Sequence, residues 1–426
     1  MFFKDRMFPR FALYGFLKNL RFFDPFIILI FREAGLSFLQ IGLLYSIRDV
    51  ATNILEIPTG VFADAFGRRK SMMMAFGAYI ISFLIFYAFT GFSIYALAMV
   101  LFAFGEAFRS GTHKALILEH LTLNKMSALK VEYYGRTRAF SQFGSSINAL
   151  IAAALVFYSG DYRVMFLAAT IPYVLDFINL ASYPRELDGD LAEFSREAIG
   201  TQVRGTLQAF RSMFTDWRAL RAILNSSGFS GLFKATKDYL QPILESFALA
   251  LPVFLALSDK RRSALVVGLV YFVIYLFTSY ASRSSAGFSH RFSSLGRAIN
   301  LTFLAGAGFL FVAGLATWGN VTWLAILVFL LFYILHNLRR PMNVSFISDQ
   351  ISTRVMASGL SVESQFTTLL AAVLAPLLGA LADQFGVGVA LTILAGAVLL
   401  LYLFVHVDEK SPISAQVSEN EQRNNL

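Results

Sequence analysis

Long apolar runs separated by short polar intervals recur along the whole chain. They fall near 10–32, 39–62, 71–90, 93–116, 139–158 and 163–183, then near 223–247, 263–282, 298–316, 321–338, 357–381 and 387–406. Each run is about 20 residues or a little longer, enough for a helix to cross a hydrocarbon layer of roughly 30 Å. In that layer a helix satisfies its own backbone groups. The short alternating segments of an outer-membrane barrel are not found. The pattern predicts an all-α polytopic membrane protein with twelve transmembrane helices in two sets of six.

Composition agrees. Of 426 residues, 57% are hydrophobic and 15% charged, and mean hydropathy is +0.61. A water-soluble chain of this length carries more charge. The first run is too long for a cleavable leader, and Lys18, Arg21 and Asp24 interrupt it. With no cysteine, disulfide and thiol chemistry are excluded.

Lys and Arg set the expected orientation. With both termini cytoplasmic, the inner loops hold Lys4, Arg6 and Arg10, then Arg68, Arg69 and Lys70, then Lys125, Lys130, Arg136 and Arg138. The outer loops hold Arg32, Arg163 and the cluster Lys260, Arg261 and Arg262, which is the exception to the rule. The net charge of +9 therefore reads as topology and attraction to anionic lipid heads. It does not read as nucleic-acid binding, since no basic stripe with interleaved aromatics lies outside the spans. The expected location is a bacterial cytoplasmic (inner) membrane.

Residues 184–222 form the one long polar stretch before the tail. Apolar residues at 199, 203, 207, 210 and 214 follow a helical period, predicting an amphipathic helix on the inner face. The expected organisation is a six-helix bundle over 1–183, this linker over 184–222, a second bundle over 223–408 and a disordered tail over 409–426.

The halves resemble each other. "FFDPFIILI" (22–30) matches "YLQPILESF" (239–247), setting Pro25 against Pro242. "IGLLYSI" (41–47) matches "VGLVYFV" (267–273), and "RSGTHKALILEHL" (109–121) matches "RRPMNVSFISDQI" (339–351). "SQF" recurs at 141–143 and 364–366. Offsets of 217, 226, 230 and 223, in the same order, point to two pseudo-symmetric copies.

Between the second and third runs stands "GVFADAFGRRK" (60–70). Gly60, Asp64, Gly67, Arg68, Arg69 and Lys70 resemble the G-x-x-x-D-x-x-G-R-K motif of the major facilitator superfamily, with Ala65 where that family usually has a base. The resemblance extends along nearly the whole chain. A second copy, "GFSHRFSSLGR" (287–297), has His290 near the acid's position. The resemblance implies the family's fold and a conformational gate at Gly60, Asp64, Gly67 and Arg68. In it, Asp64 accepts from the amides at a neighbouring helix N-terminus, and the bases pair across the seam between the halves. The competing reading is that the bases only anchor helix ends to lipid phosphates.

The same resemblance implies that helices 1, 4, 7 and 10 line a central path. Helix 1 carries Lys18, Arg21 and Asp24, and helix 4 carries Glu106 and Arg109. Helix 7 has Lys234, Lys237 and Asp238, helix 10 has His336, and helix 2 adds Arg48, Asp49 and Glu56. A charge at membrane depth costs about 2.5–3.5 kcal/mol on insertion scales, so each marks a candidate site. Two readings stand side by side. Glu106 with Arg109, and Lys234 with Asp238, have the spacing of pairs within one helix. Alternatively, Arg109 and Lys234 attract the solute while Glu106, Asp24 or Asp238 carries a proton. Arg339 and Arg340 read as bases near the inner surface.

No nucleotide loop, metal-ligand cluster or catalytic constellation appears, so neither an enzyme nor a cofactor is expected. The expected function is secondary active transport of a small polar or anionic solute by alternating access, coupled to protons, by a monomer. The alternative is a non-transporting sensor or assembly protein on the same scaffold.

Overall fold

The computed structural model describes residues 5–189, 191, 195, 197, 199–201, 203–205, 208, 217–253, 255–350 and 356–407. The described residues are helical, with no strand among them. The linker helix expected within 184–222 and the tail from 409 lie largely or wholly outside the described residues.

The first expected span is built in two pieces, α1 (Met7–Leu17) and α2 (Ile27–Glu33), with a 3-10 turn at Asp24–Phe26. Pro25 offers no amide hydrogen and crowds the preceding turn, so the helix opens there. α3 (Phe38–Phe66) begins at a reciprocal cap between Ser37 and Gln40. Gly67, at φ +100°, separates it from α4 (Arg68–Ala88). The run at 93–116 is divided at Ser110 and Gly111 into α5 (Phe92–Arg109) and α6 (Thr112–Leu123). α7 (Lys130–Ser159) and α8 (Val164–Ala181) follow.

The seventh span repeats the break of the first. α9 (Trp217–Thr236) gives way to a 3-10 turn at Lys237–Tyr239 and then α10 (Leu240–Ala250). α11 (Asp259–Ser289), α12 (Leu295–Trp318) and α13 (Thr322–Gln350) run beyond the apolar stretches that predicted them. α14 (Met356–Val405) covers both final runs and turns at Gly386, whose φ of +81° suits glycine. Eight helices among the described residues are long and apolar enough to cross a membrane. The broken first and seventh spans and the charge-bearing α3 are not among them.

The chain forms two compact units, Met1–Val203 with Gln241–Leu276, and Arg204–Leu240 with Phe277–Leu426. Residues 241–276, placed by the sequence in the second bundle, thus pack within the first unit.

In the first unit, Phe23 and Phe86 stack on Phe166, each with ring centroids 4.8 Å away. Gly268 of α11 lies directly against Ala153 of α7. In the second, a side chain on Gly388 would come 2.9 Å from the Gly314 carbonyl, so α12 and α14 cross at two glycines. Lipid is as apolar as Leu, so close backbone approach at small residues is what holds such helices together.

Gln241 stabilises the break in the first span. Its Oε1 accepts from Ile28 N–H at 2.8 Å and its Nε2 donates to the Asp24 carbonyl at 2.9 Å. Those two groups would be bonded to each other in an unbroken helix. The amide of α10 is therefore spliced into one missing rung of the first span. Gln241→Leu removes both bonds and is expected to cost about 1–3 kcal/mol. Thermal unfolding in detergent measures it.

The cationic cluster at 260–262, the exception to the expected orientation, has structural partners. Lys260 pairs with Glu33. Arg262 donates to the carbonyls of Ala248, Leu249 and Leu251 at the end of α10. These bases hold loop ends within one unit, and the topology rule does not act on that kind of contact.

At the chain start, Asp5 accepts from Tyr133 Oη at 2.6 Å and Met7 N–H at 2.9 Å, and meets His120 Nε2 at 2.9 Å. Burial pushes its carboxyl up, but these bonds outweigh it and hold the group below its ordinary value of 3.8. A depressed carboxylate stabilises the fold above its unfolded value and loses that contribution as pH falls through the folded one. Hydrogen-exchange protection at the start of α1, relative to an unstructured chain at the same pH, is therefore expected to be high at neutral pH. It should fall only once pH drops below 3.8, and in Asp5→Asn it should be low at every pH.

Candidate functional site

Three groups of polar side chains stand out. The first surrounds Glu106 in the last turn of α5. Its Oε1 accepts from Arg21 at 2.5 Å and its Oε2 from Arg109 at 2.5 Å. Arg21 Nε donates to Tyr173 Oη at 2.6 Å, and Arg109 Nε to Tyr79 Oη at 3.0 Å. The Arg21 guanidinium also lies 5.0 Å from the Phe102 ring centroid and 5.4 Å from that of Tyr79. The spacing predicted a pair of Glu106 with Arg109, and that pair is present. Arg21 makes it a triad with one positive charge in excess.

The second group lines a cavity of about 520 Å³ within the second unit. Lys234 comes from α9, Lys237 from the turn after it, His336, Arg340 and Asn343 from α13, and Glu363 from α14. The pair expected between Lys234 and Asp238 gives way to one between Lys237 and Asp238, at 2.6 Å. The helix breaks after Thr236, so the regular four-residue spacing is not maintained. His336 stacks on Phe233 with centroids 3.8 Å apart. Glu363 Oε1 accepts from Ser226 Oγ at 2.8 Å and Thr367 Oγ1 at 3.4 Å, and Asn343 donates to Ser226 Oγ at 3.0 Å.

The third group is the Gly60–Lys70 segment, where the end of α3 meets the start of α4 at Gly67. Asp64 is exposed. The acid at the N-terminus of α4 is Asp188, whose Oδ1 accepts from Arg69 N–H at 2.7 Å. A Cβ on Gly67 would stand 2.7 Å from the Asp188 carboxyl carbon, so glycine makes room for it. Arg68 pairs with Glu119 at 3.2 Å, and Arg69 reaches the carbonyls of Ala181 and Tyr183. These partners belong to the same unit, where the sequence had the bases reaching across the seam. Asp188→Asn is expected to cost about 1 kcal/mol through loss of a charge at a helix N-terminus. Asp64→Asn should leave the unfolding temperature unchanged.

The remaining candidates do not gather at one place. Arg48 pairs with Asp49 at 2.8 Å. Glu56 accepts from Ser110 Oγ at 2.9 Å, so the two acids of one α3 face have separate partners. Asp24 contributes its carbonyl to Gln241. Arg339, expected near the inner surface, is 1% exposed and packed inside the second unit.

Sequence reasoning missed Glu363, Asp176, Asp188 and Gln241. Glu363 is the one charge in the run 357–381, and that isolation was a usable signal. Asp176 is fully buried in α8, where Asn179 Nδ2 donates to its Oδ1 at 3.1 Å.

Comparison with known proteins follows the same lines. The model of the Major Facilitator Superfamily matches residues 11–364. An uncharacterized MFS-type transporter YxaM of Bacillus subtilis (strain 168) is 22% identical over 222 residues, 52% of this chain and 54% of that protein. The match thus spans about half the length of that relative. The nucleoside transporter NupG superposes with a TM-score of 0.75 at 15% identity, covering 94% of this chain and 98% of that one. A D-xylose–proton symporter gives 0.69 at 16% identity, covering 95% and 98%. At these identities the two structures speak for the fold.

Proposed function

Because the chain belongs to the Major Facilitator Superfamily, we propose that it is a secondary transporter carrying a small polar or anionic solute, coupled to protons, by alternating access. It is an integral membrane protein of a transporter family, not an enzyme family. The observation that carries the solute reading is the cavity of about 520 Å³, lined by Lys234, Lys237 and Arg340 with one acid, Glu363. A hollow of that size and polarity suits a small hydrophilic ligand, and a helix bundle needs neither the volume nor the charge to pack. The same cavity argues against a non-transporting scaffold, which would fill such a space with packed side chains.

In this reading the chain crosses a bacterial inner membrane twelve times, as six-span sequence repeats over 1–183 and 223–408 of which residues 241–276 pack within the first unit, with both termini cytoplasmic. The Glu106 triad within the first unit and the cavity bases within the second are each candidate groups for handling a proton or a solute. Gly60, Asp64, Gly67 and Arg68 belong to a gate that biases one conformation over the other. The solutes named for the two solved neighbours, a nucleoside and D-xylose, are compatible with a hydrophilic solute here.

The test is solute-driven proton flux in proteoliposomes holding the full chain, screened over a metabolite library. Flux with at least one solute supports the reading, and none with any solute defeats it. For the gate, Asp64→Asn is expected to slow transport severalfold while binding is unchanged. Lost binding with intact cycling would reject that role.

A further inference from the structure

Resting on that reading, we infer that Glu363 is the residue that takes the coupling proton, and that its protonation admits a hydroxylated organic anion to the cavity.

Both oxygens of Glu106 are occupied, each by a guanidinium. A proton could reach either oxygen only by displacing an ion pair. Glu363 is different. Both of its bonds, from Ser226 and Thr367, land on Oε1. Among the described residues Oε2 has no hydrogen-bond partner, and the side chain is half-buried against the cavity. A proton from cavity water can therefore settle on Oε2 and leave Oε1 and its hydroxyl donors in place. Asn343 in turn fixes Ser226, so the carboxyl is held in one orientation for proton uptake and release.

The charges facing Glu363 give protonation its consequence. From α9 and the turn after it come Lys234 and Lys237, the latter paired with Asp238. From α13 come His336 and Arg340. Glu363 is the one acid among these described lining residues. While ionised, it competes with any anion for the bases. Once it is neutral, the bases attract an anion without that competition. Proton and anion then enter together and leave together, with the proton passing from water to Oε2 and back to water. The rest of the lining is rich in hydroxyls, Ser230, Ser364 and Thr368 as well as Ser226 and Thr367, which match a solute bearing several hydroxyl groups.

The test uses the full chain in proteoliposomes, with D-gluconate and glucose 6-phosphate as anionic probes and sorbitol as the neutral control. Wild type is expected to bind the carboxylate, the phosphate or both, with affinity falling about tenfold per pH unit above the carboxyl's titration. Sorbitol should bind at least tenfold more weakly. Glu363→Gln is expected to keep anion exchange, lose proton flux and bind with pH-independent affinity. Proton flux with normal pH dependence in that variant overturns the proton assignment, and sorbitol binding as tight as the anions overturns the solute class. An infrared pH titration without solute decides the proton assignment separately. A carboxyl signal that appears with acid in wild type and is missing from Glu363→Gln supports it, and identical titrations reject it. If wild type moves no solute in the metabolite screen, the transporter reading fails, whatever the infrared result.

Discussion

Glu106→Gln is expected to lower stability by about 3 kcal/mol and to abolish transport. The reason is the number of partners. One carboxylate neutralises Arg21 and Arg109 together, so its removal leaves two guanidinium groups facing each other with no acid between them. The side chains are about one-fifth exposed, which keeps the figure at the lower end of the range for broken buried pairs. For a unit of this size the loss corresponds to roughly 6–12 °C in unfolding temperature. Arg21→Met is the informative control. It leaves a neutral pair of Glu106 with Arg109 and should be much milder on stability, under about 1.5 kcal/mol, while still removing the excess positive charge. The double change Glu106→Gln with Arg109→Gln removes one helix's pair but strands Arg21. It should therefore remain damaging, whereas a self-contained pair within α5 would let the double variant behave as wild type. Unfolding temperatures of the four proteins in detergent, with transport assayed in parallel, decide between these outcomes.

The all-helical, membrane-length character was legible because apolar length is a local property of the chain, and eight helices among the described residues have that length and composition. The two-fold character was legible from short matches in one order. The breaks at Asp24–Phe26 and Lys237–Tyr239 were foreshadowed by Pro25 and Pro242, but the partner that stabilises the first break was not. Gln241 lies 217 positions from Asp24, the offset of the first repeat match, and only packing sets it against Asp24 and Ile28. Charges on the path helices were visible, but which oxygen meets which nitrogen is decided by rotation of one helix against another. Hence Glu106 with Arg109 followed from spacing, while Arg21 did not join them until the broken first span was folded. The Gly60–Lys70 segment shows the same limit. A motif marks Asp64, yet Asp188, which follows the eighth helix, reaches the amide at the start of α4. Its signal lay in Gly67, whose missing side chain makes room for it.

Arg339 supplies the second large effect, and it depends on geometry more than on charge. The repeat offset of 230 sets Arg339 against Arg109 and His336 against Glu106. One half thus keeps an acid beside its arginine, and the other has an imidazole there. The Arg339 guanidinium, 1% exposed, donates to the Ile299 carbonyl at 2.8 Å and to Asn225 Oδ1. It lies 4.7 Å from the Phe229 ring centroid and 5.3 Å from that of Phe303. Its planar fork therefore ties α9, α12 and α13 together inside the second unit. A lysine keeps the charge but has neither the fork nor the flat face, so Arg339→Lys is expected to cost about 3 kcal/mol or more. Arg339→Met removes the charge, roughly fills the space and leaves mainly Asn225 Oδ1 without a donor, a cost of about 1–3 kcal/mol. The less conservative change should thus be the better tolerated. Arg340, the neighbour that lines the cavity, is retained in both variants. Folded Arg339→Met should accordingly bind solute with affinity within about threefold of wild type, whereas Arg340→Met should lose at least tenfold, about 1.4 kcal/mol. Unfolding temperatures rank the Arg339 pair, and solute titration separates the two arginines. A lysine variant more stable than the methionine variant would show that charge, not the shape of the fork, is what this position requires.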